Sequence, residues 1–329
     1  MSIDDSTSPS PSQAGTDHGA ASSPLNLPGV VLGLRQARER WRTLQARHSD
    51  ASARELPSRD ALDEIMSGLR AALFPMRLGP PGLRQESEDY FIGHTLHTAL
   101  QALSTQVKLE LVHQARAAGE PAVDVEARTL AIVRDFGEAL PGIRELLDTD
   151  VLAAYRGDPA ARSVDEVLLC YPGVHAVIHH RLAHRLYALG VPLLARIVAE
   201  LAHGTTGIDI HPGAKIGSHF FIDHGTGVVI GETAIIGRNV RIYQAVTLGA
   251  KRFASDADGQ LTKGGARHPI VEDDVVIYAG ATVLGRITIG QGASIGGNVW
   301  LTHSVPAGSH ISQANSVDDL GLDRAAMGG

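Results

Sequence analysis

The sequence predicts an α+β protein in which an N-terminal α-helical domain precedes a C-terminal left-handed parallel β-helix. Three observations predict this order. Apolar and charged residues recur at spacings of three and four up to residue 203, aliphatic residues then recur every six positions, and 19 of the 36 glycines fall between Gly204 and Gly308. A period of six fits triangular coils that bury one aliphatic residue on each face, whereas it fits neither an α-helix nor a simple strand.

The composition excludes several classes of protein. The 329 residues carry a formal net charge of −7, so no basic excess is present to bind nucleic acid or an anionic membrane. The one cysteine, Cys170, can form neither an internal disulfide nor a cysteine zinc site. No apolar run reaches the roughly 18 to 20 residues that span a bilayer, and no signal or transit peptide is recognisable. We therefore expect a cytoplasmic protein.

The N-terminal part divides into a tail and a helical domain. Residues 1–28 are mostly Ser, Pro, Gly and Asp, which cannot offset the entropy of ordering, so we expect a disordered tail. Residues 29–203 carry the helical periodicity. Proline and glycine clusters near residues 57, 80, 120 and 158 predict where successive helices end.

The β-helix is predicted over residues 204–310. Thirteen aliphatic positions follow the repeat of six: Ile210, Ile216, Ile222, Ile230, Ile236, Ile242, Leu248, Val271, Ile277, Val283, Ile289, Ile295 and Leu301. At about eighteen residues per coil, they predict a little over four coils. Residues 249–270 lack the repeat and are predicted to form an extended loop, and residues 311–329 a flexible tail.

Polar residues that could carry out chemistry gather where the repeat is interrupted. Asp223 and His224 lie in an eight-residue step, and Asp209 precedes His224 by a little less than one coil. The extended loop ends in Arg267 and His268. A histidine beside a carboxylate forms a general base, because the carboxylate fixes the tautomer and stabilises the imidazolium. Attack of an alcohol on a thioester needs such a base, so we expect Asp209 and His224 on neighbouring coils.

At these residues the chain strongly resembles the serine O-acetyltransferases, hexapeptide-repeat enzymes that acetylate L-serine from acetyl-CoA on the route to cysteine. The matching runs are DIHPGAKIG, IDHGTGVVIGETA, VTLG, RHP and AGATVLG, together with YPGVHAVIHHRLAHRL in the helical domain. The resemblance covers about residues 155–306, and the pairing of DHGTG with GETA is specific to this family. It implies an acyltransferase that makes O-acetyl-L-serine for cysteine biosynthesis.

The resemblance also implies a role for each matching residue. His224 would take the proton of the serine hydroxyl, Asp209 would orient His224, and Glu232 would have a supporting role. Asp158 and Asp223 would face the serine ammonium group.

Arg267 with His268 would hold the serine carboxylate, because a guanidinium complements a carboxylate. We expect these charged groups to be unpaired until the substrate arrives.

Acetyl-CoA is the co-substrate that the resemblance implies. Its pantetheine arm would follow an edge of the prism, where small residues let it approach the backbone closely. These residues are Gly249, Ala250, Ala279, Gly280 and Gly297. No metal is expected.

The resemblance implies a homotrimer or a dimer of trimers with active sites between neighbouring prisms. Family members bind O-acetylserine sulfhydrylase through a terminal isoleucine, whereas this chain ends in Met327, Gly328 and Gly329. We therefore do not expect that complex.

Three other functions are compatible with the prism. The first is an acetyltransferase for a sugar or antibiotic hydroxyl, which would not need the helical domain or Asp158. The second is a γ-class carbonic anhydrase, with zinc held by His224, His268 and His303. The third is a non-catalytic scaffold, which the Asp209 and His224 pair disfavours.

Overall fold

The computed structural model describes residues 26–44, 56–119, 123–251 and 264–313. The predicted tails over 1–28 and 311–329 therefore lie mostly outside the described residues, as does the middle of the 249–270 loop. The absence of a sulfhydrylase complex, which depended on the C-terminal residues, stays a prediction.

Helices make up the N-terminal part of the described chain. They are α1 (Leu27–Leu44), α2 (Arg59–Leu73), α3 (Pro75–Leu78), α4 (Glu88–Ala118), α5 (Val125–Gly157), α6 (Val164–Cys170), α7 (Pro172–Ala188) and α8 (Pro192–Thr206), with a 3₁₀ turn at Gln85–Ser87. Helix α1 belongs to a unit of its own and buries none of its residues. None of the described helices combines the length and apolar character needed to cross a membrane.

Strands make up the C-terminal part. They are β1 (Asp209–Ile210), β2 (Lys215–Ile216), β3 (Phe221–Asp223), β4 (Val229–Ile230), β5 (Ile235–Ile236), β6 (Arg241–Tyr243), β7 (Thr247–Gly249), β8 (Ile270–Val271), β9 (Val276–Ile277), β10 (Thr282–Leu284), β11 (Thr288–Ile289), β12 (Ser294–Ile295), β13 (Trp300–Leu301) and β14 (His310–Ile311). All pairings among them are parallel.

The strands form three sheets, which are the three faces of a prism. Face 1 has the order β1-β4-β7-β10-β13, face 2 has β2-β5-β8-β11, and face 3 has β3-β6-β9-β12-β14. Ile230 pairs with Leu248, one regular coil later, as the repeat predicts. The first coil, in which Ile210 pairs with Ile230, is slightly longer because it contains the eight-residue step. The coil from Leu248 to Val283 is much longer because it contains the extended loop.

The repeat of six correctly predicts the interior of the prism. Twelve of the thirteen aliphatic positions are buried, and Ile216 is half-buried. The predicted parallel β-helix is confirmed, but the prediction of little more than four coils is too low. The structure has about five, because Val305 and strand β14 continue the prism after Leu301. Val305 follows Leu301 by only four positions, and Ile311 then follows Val305 at the interval of six.

A buried ion pair joins the helices to the first coil of the prism. Arg181 of α7 donates two hydrogen bonds of 3.1 Å to Asp150 of α5, which also accepts from the backbone N–H of Phe220 at 2.9 Å. Arg181 donates as well to the carbonyl oxygens of Ile216 and Gly217. These bonds satisfy both buried charges, and they hold α5 and α7 beside β3.

Candidate active site

The predicted site residues of the prism lie along its edges, where the chain passes from one face to the next. The edge from face 3 to face 1 contains His224, and we call it the His224 edge. The edge from face 1 to face 2 contains Arg267, and we call it the Arg267 edge. One face separates the two, which is roughly 15 to 20 Å at about 3.3 Å per residue.

The His224 edge presents an exposed imidazole. His224 follows β3 with φ of 60°, and its side chain is 74% exposed. Its Nε2 lies 3.8 Å from Oδ1 of Asp223, whose side chain is only 10% exposed. The ring is therefore open to a substrate on one side and beside a carboxylate on the other.

Asp223 already has a cationic partner in this chain. Arg241 of β6 donates to Oδ2 of Asp223 at 2.5 Å. The guanidinium lies over the rings of Phe221 and Tyr243, at 5.0 and 4.7 Å from their centroids. The expectation that Asp223 is unpaired before substrate binds is thus wrong. No motif indicated Arg241, whose partner lies one coil earlier in the sequence and becomes adjacent only in the parallel register.

Asp158 reaches the same place from the C-terminal end of α5. Its Oδ2 accepts from the Tyr171 hydroxyl at 2.5 Å, and its Oδ1 accepts from the backbone N–H of Ala160 at 2.8 Å. These two hydrogen bonds, with weaker attraction to Arg241 and His224, hold the pKa of Asp158 below its usual value. The bond to Asp158 raises the pKa of Tyr171 to about 12. Asp158 is therefore a carboxylate near His224, as the resemblance implies.

Asp209 lies where the first coil begins. Because the eight-residue step lengthens that coil, the strand partner of Asp209 is Val229. Its carboxylate lies near Glu200 and His203. Among the described residues, these three side chains form the one group of His, Cys, Asp and Glu whose possible metal-ligand atoms all lie within 4.8 Å of one another. A hydrogen bond of 3.1 Å joins His203 Nδ1 to Glu200. The pairing of Asp209 with His224 stays a prediction.

Three of the predicted cofactor residues stack above His224 on its edge. Gly280 donates its backbone N–H to the Gln244 carbonyl at 3.0 Å, and Asn298 donates to the Ala279 carbonyl at 2.9 Å, so these turns are consecutive. Gly280 has φ of 72°, and a Cβ there would lie 2.2 Å from Asn298 Oδ1. Ala279, Gly280 and Gly297 therefore lie on consecutive turns of this edge, and the Asn298 side chain fills the space beside Gly280.

The other two predicted cofactor residues, Gly249 and Ala250, lie on the Arg267 edge together with Arg267. The Arg267 guanidinium donates to Oε2 of Glu232 at 2.7 Å, and the Tyr187 hydroxyl donates to Oε1 at 3.0 Å. Burial alone would raise the pKa of Glu232, but these two hydrogen bonds hold it below its usual value. Arg267 is thus also paired, contrary to expectation, and Glu232 orients it.

His268 is the buried member of this edge. Its Nδ1 accepts from the backbone N–H of Thr233 at 3.1 Å. Burial first, and then the charge of Arg267, lower the pKa of His268, so the ring is neutral at physiological pH. Tyr187 and Thr233 were not indicated as site residues by the sequence.

The predicted site is therefore divided within one chain. The His224 edge gathers carboxylates around an exposed imidazole, and the Arg267 edge carries a guanidinium and a neutral imidazole. Among the residues that the structure describes, no single prism edge contains both His224 and Arg267. The guanidinium on the His224 edge, that of Arg241, is already paired with Asp223.

Comparisons with known proteins relate the chain to serine acetyltransferases. No protein-family model matches the chain. A serine acetyltransferase of Synechococcus elongatus, described as plasmid-borne, is 61% identical over 268 residues, which is 80% of this chain and 84% of the relative. A serine acetyltransferase of Bacillus licheniformis is 50% identical over 167 residues, which is 51% of this chain and 73% of the relative.

Solved structures give the same result. Serine acetyltransferase 1 of Entamoeba histolytica, in complex with L-cysteine, superposes with a TM-score of 0.65 at 36% identity, over 86% of this chain and 99% of that one. Isoform 3 from the same organism, in complex with cysteine, gives 0.63 at 34% identity over 78% and 87%. Because the Synechococcus relative is so similar over most of both chains, and because the fold is shared, the chain belongs to the serine acetyltransferase family.

Proposed function

We propose that this chain transfers the acetyl group of acetyl-CoA to the hydroxyl of L-serine at a site formed by the His224 edge of one chain and the Arg267 edge of another. The observation that carries the proposal is that the groups expected to bind the serine ammonium and those expected to bind its carboxylate lie on different edges. Serine is a small zwitterion, so it needs anionic and cationic groups a few ångströms apart. Within one prism these groups lie roughly 15 to 20 Å apart.

The base belongs to the His224 edge. His224 would take the proton of the serine hydroxyl as its oxygen attacks, and would return a proton to the departing sulfur. Asp209 remains the proposed orienting residue for His224. When bound, acetyl-CoA supplies the thioester that is attacked, and its pantetheine arm would pass Ala279, Gly280 and Gly297, which are small residues on consecutive turns of this edge.

The ammonium group of serine fits the anionic side of the site. Asp158 and Asp223 both lie near His224, and the low pKa of Asp158 keeps it charged at every physiological pH. Arg241 offsets part of this negative charge. The substrate ammonium therefore completes a network of alternating charges.

The carboxylate of serine fits the cationic side. Arg267 supplies a guanidinium that is held by Glu232, and His268 supplies a neutral ring. We propose that a second prism brings this pair to His224, in a homotrimer or a dimer of trimers. A cyclic arrangement of three prisms places one His224 edge against one Arg267 edge at each interface.

Cysteine carries the same ammonium and carboxylate groups as serine. The Entamoeba histolytica relatives were crystallised with cysteine, and we propose that it binds the same charged groups here. The sugar-directed, carbonic anhydrase and scaffold alternatives gain no support from the family to which the chain belongs.

A panel of acceptors tests the proposal. Release of free thiol from acetyl-CoA would be measured with serine, with ethanolamine, which lacks the carboxylate, and with 3-hydroxypropionate, which lacks the ammonium. We expect kcat/KM to be at least roughly 100-fold lower for each analogue, because each loses the contacts that one charged end of serine would make. Equal activity with ethanolamine, or with a galactoside, would overturn the proposed specificity.

A further inference from the structure

We propose that Thr233 is a positioning residue that fixes the tautomer of His268, so that His268 meets the substrate carboxylate as a neutral Nε2–H donor. The inference rests on the proposed role of Arg267 and His268 in binding that carboxylate. Thr233 itself does not need to touch the substrate.

The Thr233 side chain holds the backbone of both residues. Its Oγ1 accepts from the backbone N–H of Arg267 at 2.9 Å and from that of His268 at 3.1 Å. These are the residues where the chain returns from the extended loop to β8. One side-chain oxygen therefore anchors the end of the loop to the turn that follows β4.

The Thr233 backbone decides where the proton of the imidazole lies. A backbone N–H can only donate, and that of Thr233 points to Nδ1 of His268 at 3.1 Å. Nδ1 must therefore be unprotonated, and the ring carries its proton on Nε2. The Thr233 hydroxyl lies 2.9 Å from the same nitrogen, and donating its hydrogen there reinforces the assignment.

The turn also makes room for the ring. A Cβ on Gly231 would lie 2.0 Å from Cδ2 and 2.1 Å from Nε2 of His268, so only glycine fits. Burial and the nearby guanidinium lower the pKa of His268, which disfavours a second proton. Three consecutive residues thus act on this pair. Gly231 leaves space for the His268 ring, Glu232 orients Arg267, and Thr233 fixes the tautomer of His268.

The tautomer matters because a carboxylate accepts hydrogen bonds and donates none. With Nε2 protonated, His268 can donate beside the Arg267 guanidinium. With the proton on Nδ1, the ring would present a lone pair to the substrate oxygen and lose the Thr233 hydrogen bond. In a neutral histidine, the hydrogen bond made by one ring nitrogen decides whether the other nitrogen donates or accepts.

Kinetics of two variants test the role. Thr233→Val keeps the shape of the side chain and removes Oγ1, whereas Thr233→Ser keeps Oγ1. We expect Thr233→Val to lower kcat/KM for serine by roughly 10- to 100-fold with KM for acetyl-CoA unchanged, and Thr233→Ser to stay within about threefold of the wild type. The matched control is Thr288→Val on β11, which should leave both constants unchanged. Equal kinetics for Thr233→Val and the wild type would overturn the proposal.

The tautomer can be measured without any variant of Thr233. Solid-state NMR of protein labelled with ¹⁵N-histidine distinguishes Nδ1–H from Nε2–H, and a His268→Asn sample assigns the signals. We expect Nε2–H in the wild type at pH 7.5, because the Thr233 backbone N–H donates to Nδ1. A wild-type signal from Nδ1–H would overturn the inference.

The two measurements separate this inference from the proposed function. If Arg267→Ala leaves the preference for serine over ethanolamine unchanged, the carboxylate role is wrong even when the tautomer is Nε2–H. If Arg267→Ala removes the preference while Thr233→Val preserves it, the proposed function stands and the positioning role of Thr233 is wrong.

Discussion

The two edges of the prism come from the same six-residue repeat but are stabilised in different ways. The His224 edge turns through residues in the left-handed region, including His224, Ala245, Gly280 and Asn298, in successive coils. The Arg267 edge is organised around Glu232 and Thr233 by side-chain hydrogen bonds. The His224 edge depends on tight backbone turns, whereas the Arg267 edge presents donors that are directed by a side-chain network. Under the proposed function, one repeat supplies the two halves of a binding site in these two ways.

The largest effect is expected from removing the base. His224→Ala should lower kcat by roughly 10² to 10⁴, the usual contribution of a general base, with little change in acetyl-CoA binding. His219→Ala is the matched control, because His219 also has positive φ, at 58°, but lies on the third edge. Steady-state assays at pH 7.5 measure both. A nearly normal kcat for His224→Ala would show that His224 is not the general base.

Mixing two inactive variants tests whether the edges of different chains meet. His224→Ala lacks one half-site and Arg267→Ala the other, so each homo-oligomer should have low activity. After unfolding and refolding an equal mixture, about one quarter of shared sites should combine two intact edges, since each is drawn at random with a probability of about one half.

The measured quantity is the activity of the refolded mixture relative to that of refolded wild type. Refolding each variant alone is the control. A mixture that is no more active than the mean of its components would show that each site lies within one chain.

A smaller effect is expected from breaking the ion pair between Arg241 and Asp223 on the His224 edge. Arg241→Met keeps an apolar side chain near Phe221 and Tyr243 but leaves the nearly buried Asp223 without its cation. We expect kcat/KM for serine to fall about three- to tenfold, because an unpaired buried carboxylate is costly and less well oriented.

Arg238→Met is the control, since Arg238 is 74% exposed and pairs with Asp273 on the surface. Serine titrations at fixed acetyl-CoA measure the difference. A gain in kcat/KM would show instead that Arg241 competes with the substrate ammonium for Asp223.

The sequence predicts the prism and the family more completely than it predicts the site. An aliphatic residue at every sixth position predicts the coils of the prism directly, because each face needs one inward side chain. The site depends on contacts that span long stretches of chain. Tyr187 and Glu232 are 45 residues apart in the sequence, and Glu232 and Arg267 are 35 apart. Neither separation follows from the repeat of six, because helices and loops interrupt it.

Small insertions explain the remaining differences. The eight-residue step lengthens the first coil, so a regular repeat does not give the strand partner of Asp209, which is Val229. Counting along the sequence could not reveal Arg241 or Thr233, because ordinary strand and turn residues become significant only when their neighbours are known.

The smallest expected effect concerns acid sensitivity of the Arg267 edge. His211 packs its ring edge-on against Tyr187 there, and its Nδ1 accepts from the backbone N–H of Gly213 at 3.0 Å. Burial first, and then Arg196, lower the pKa of His211 to about 4, with smaller effects from Glu232, His268 and Arg267.

Since the unfolded chain binds this proton near pH 6.5, the free energy of unfolding should fall as the pH drops from about 6.5 to about 4. The slope from His211 is at most about 1.4 kcal/mol per pH unit, and smaller because the ring is half-exposed. His211→Asn keeps an acceptor for Gly213 but cannot titrate, so the difference between urea midpoints at pH 7 and pH 5 should be smaller than in the wild type. His97→Asn, at an exposed position on α4, should keep the wild-type difference. An unchanged difference in His211→Asn would show that His211 does not contribute to the acid sensitivity of the fold.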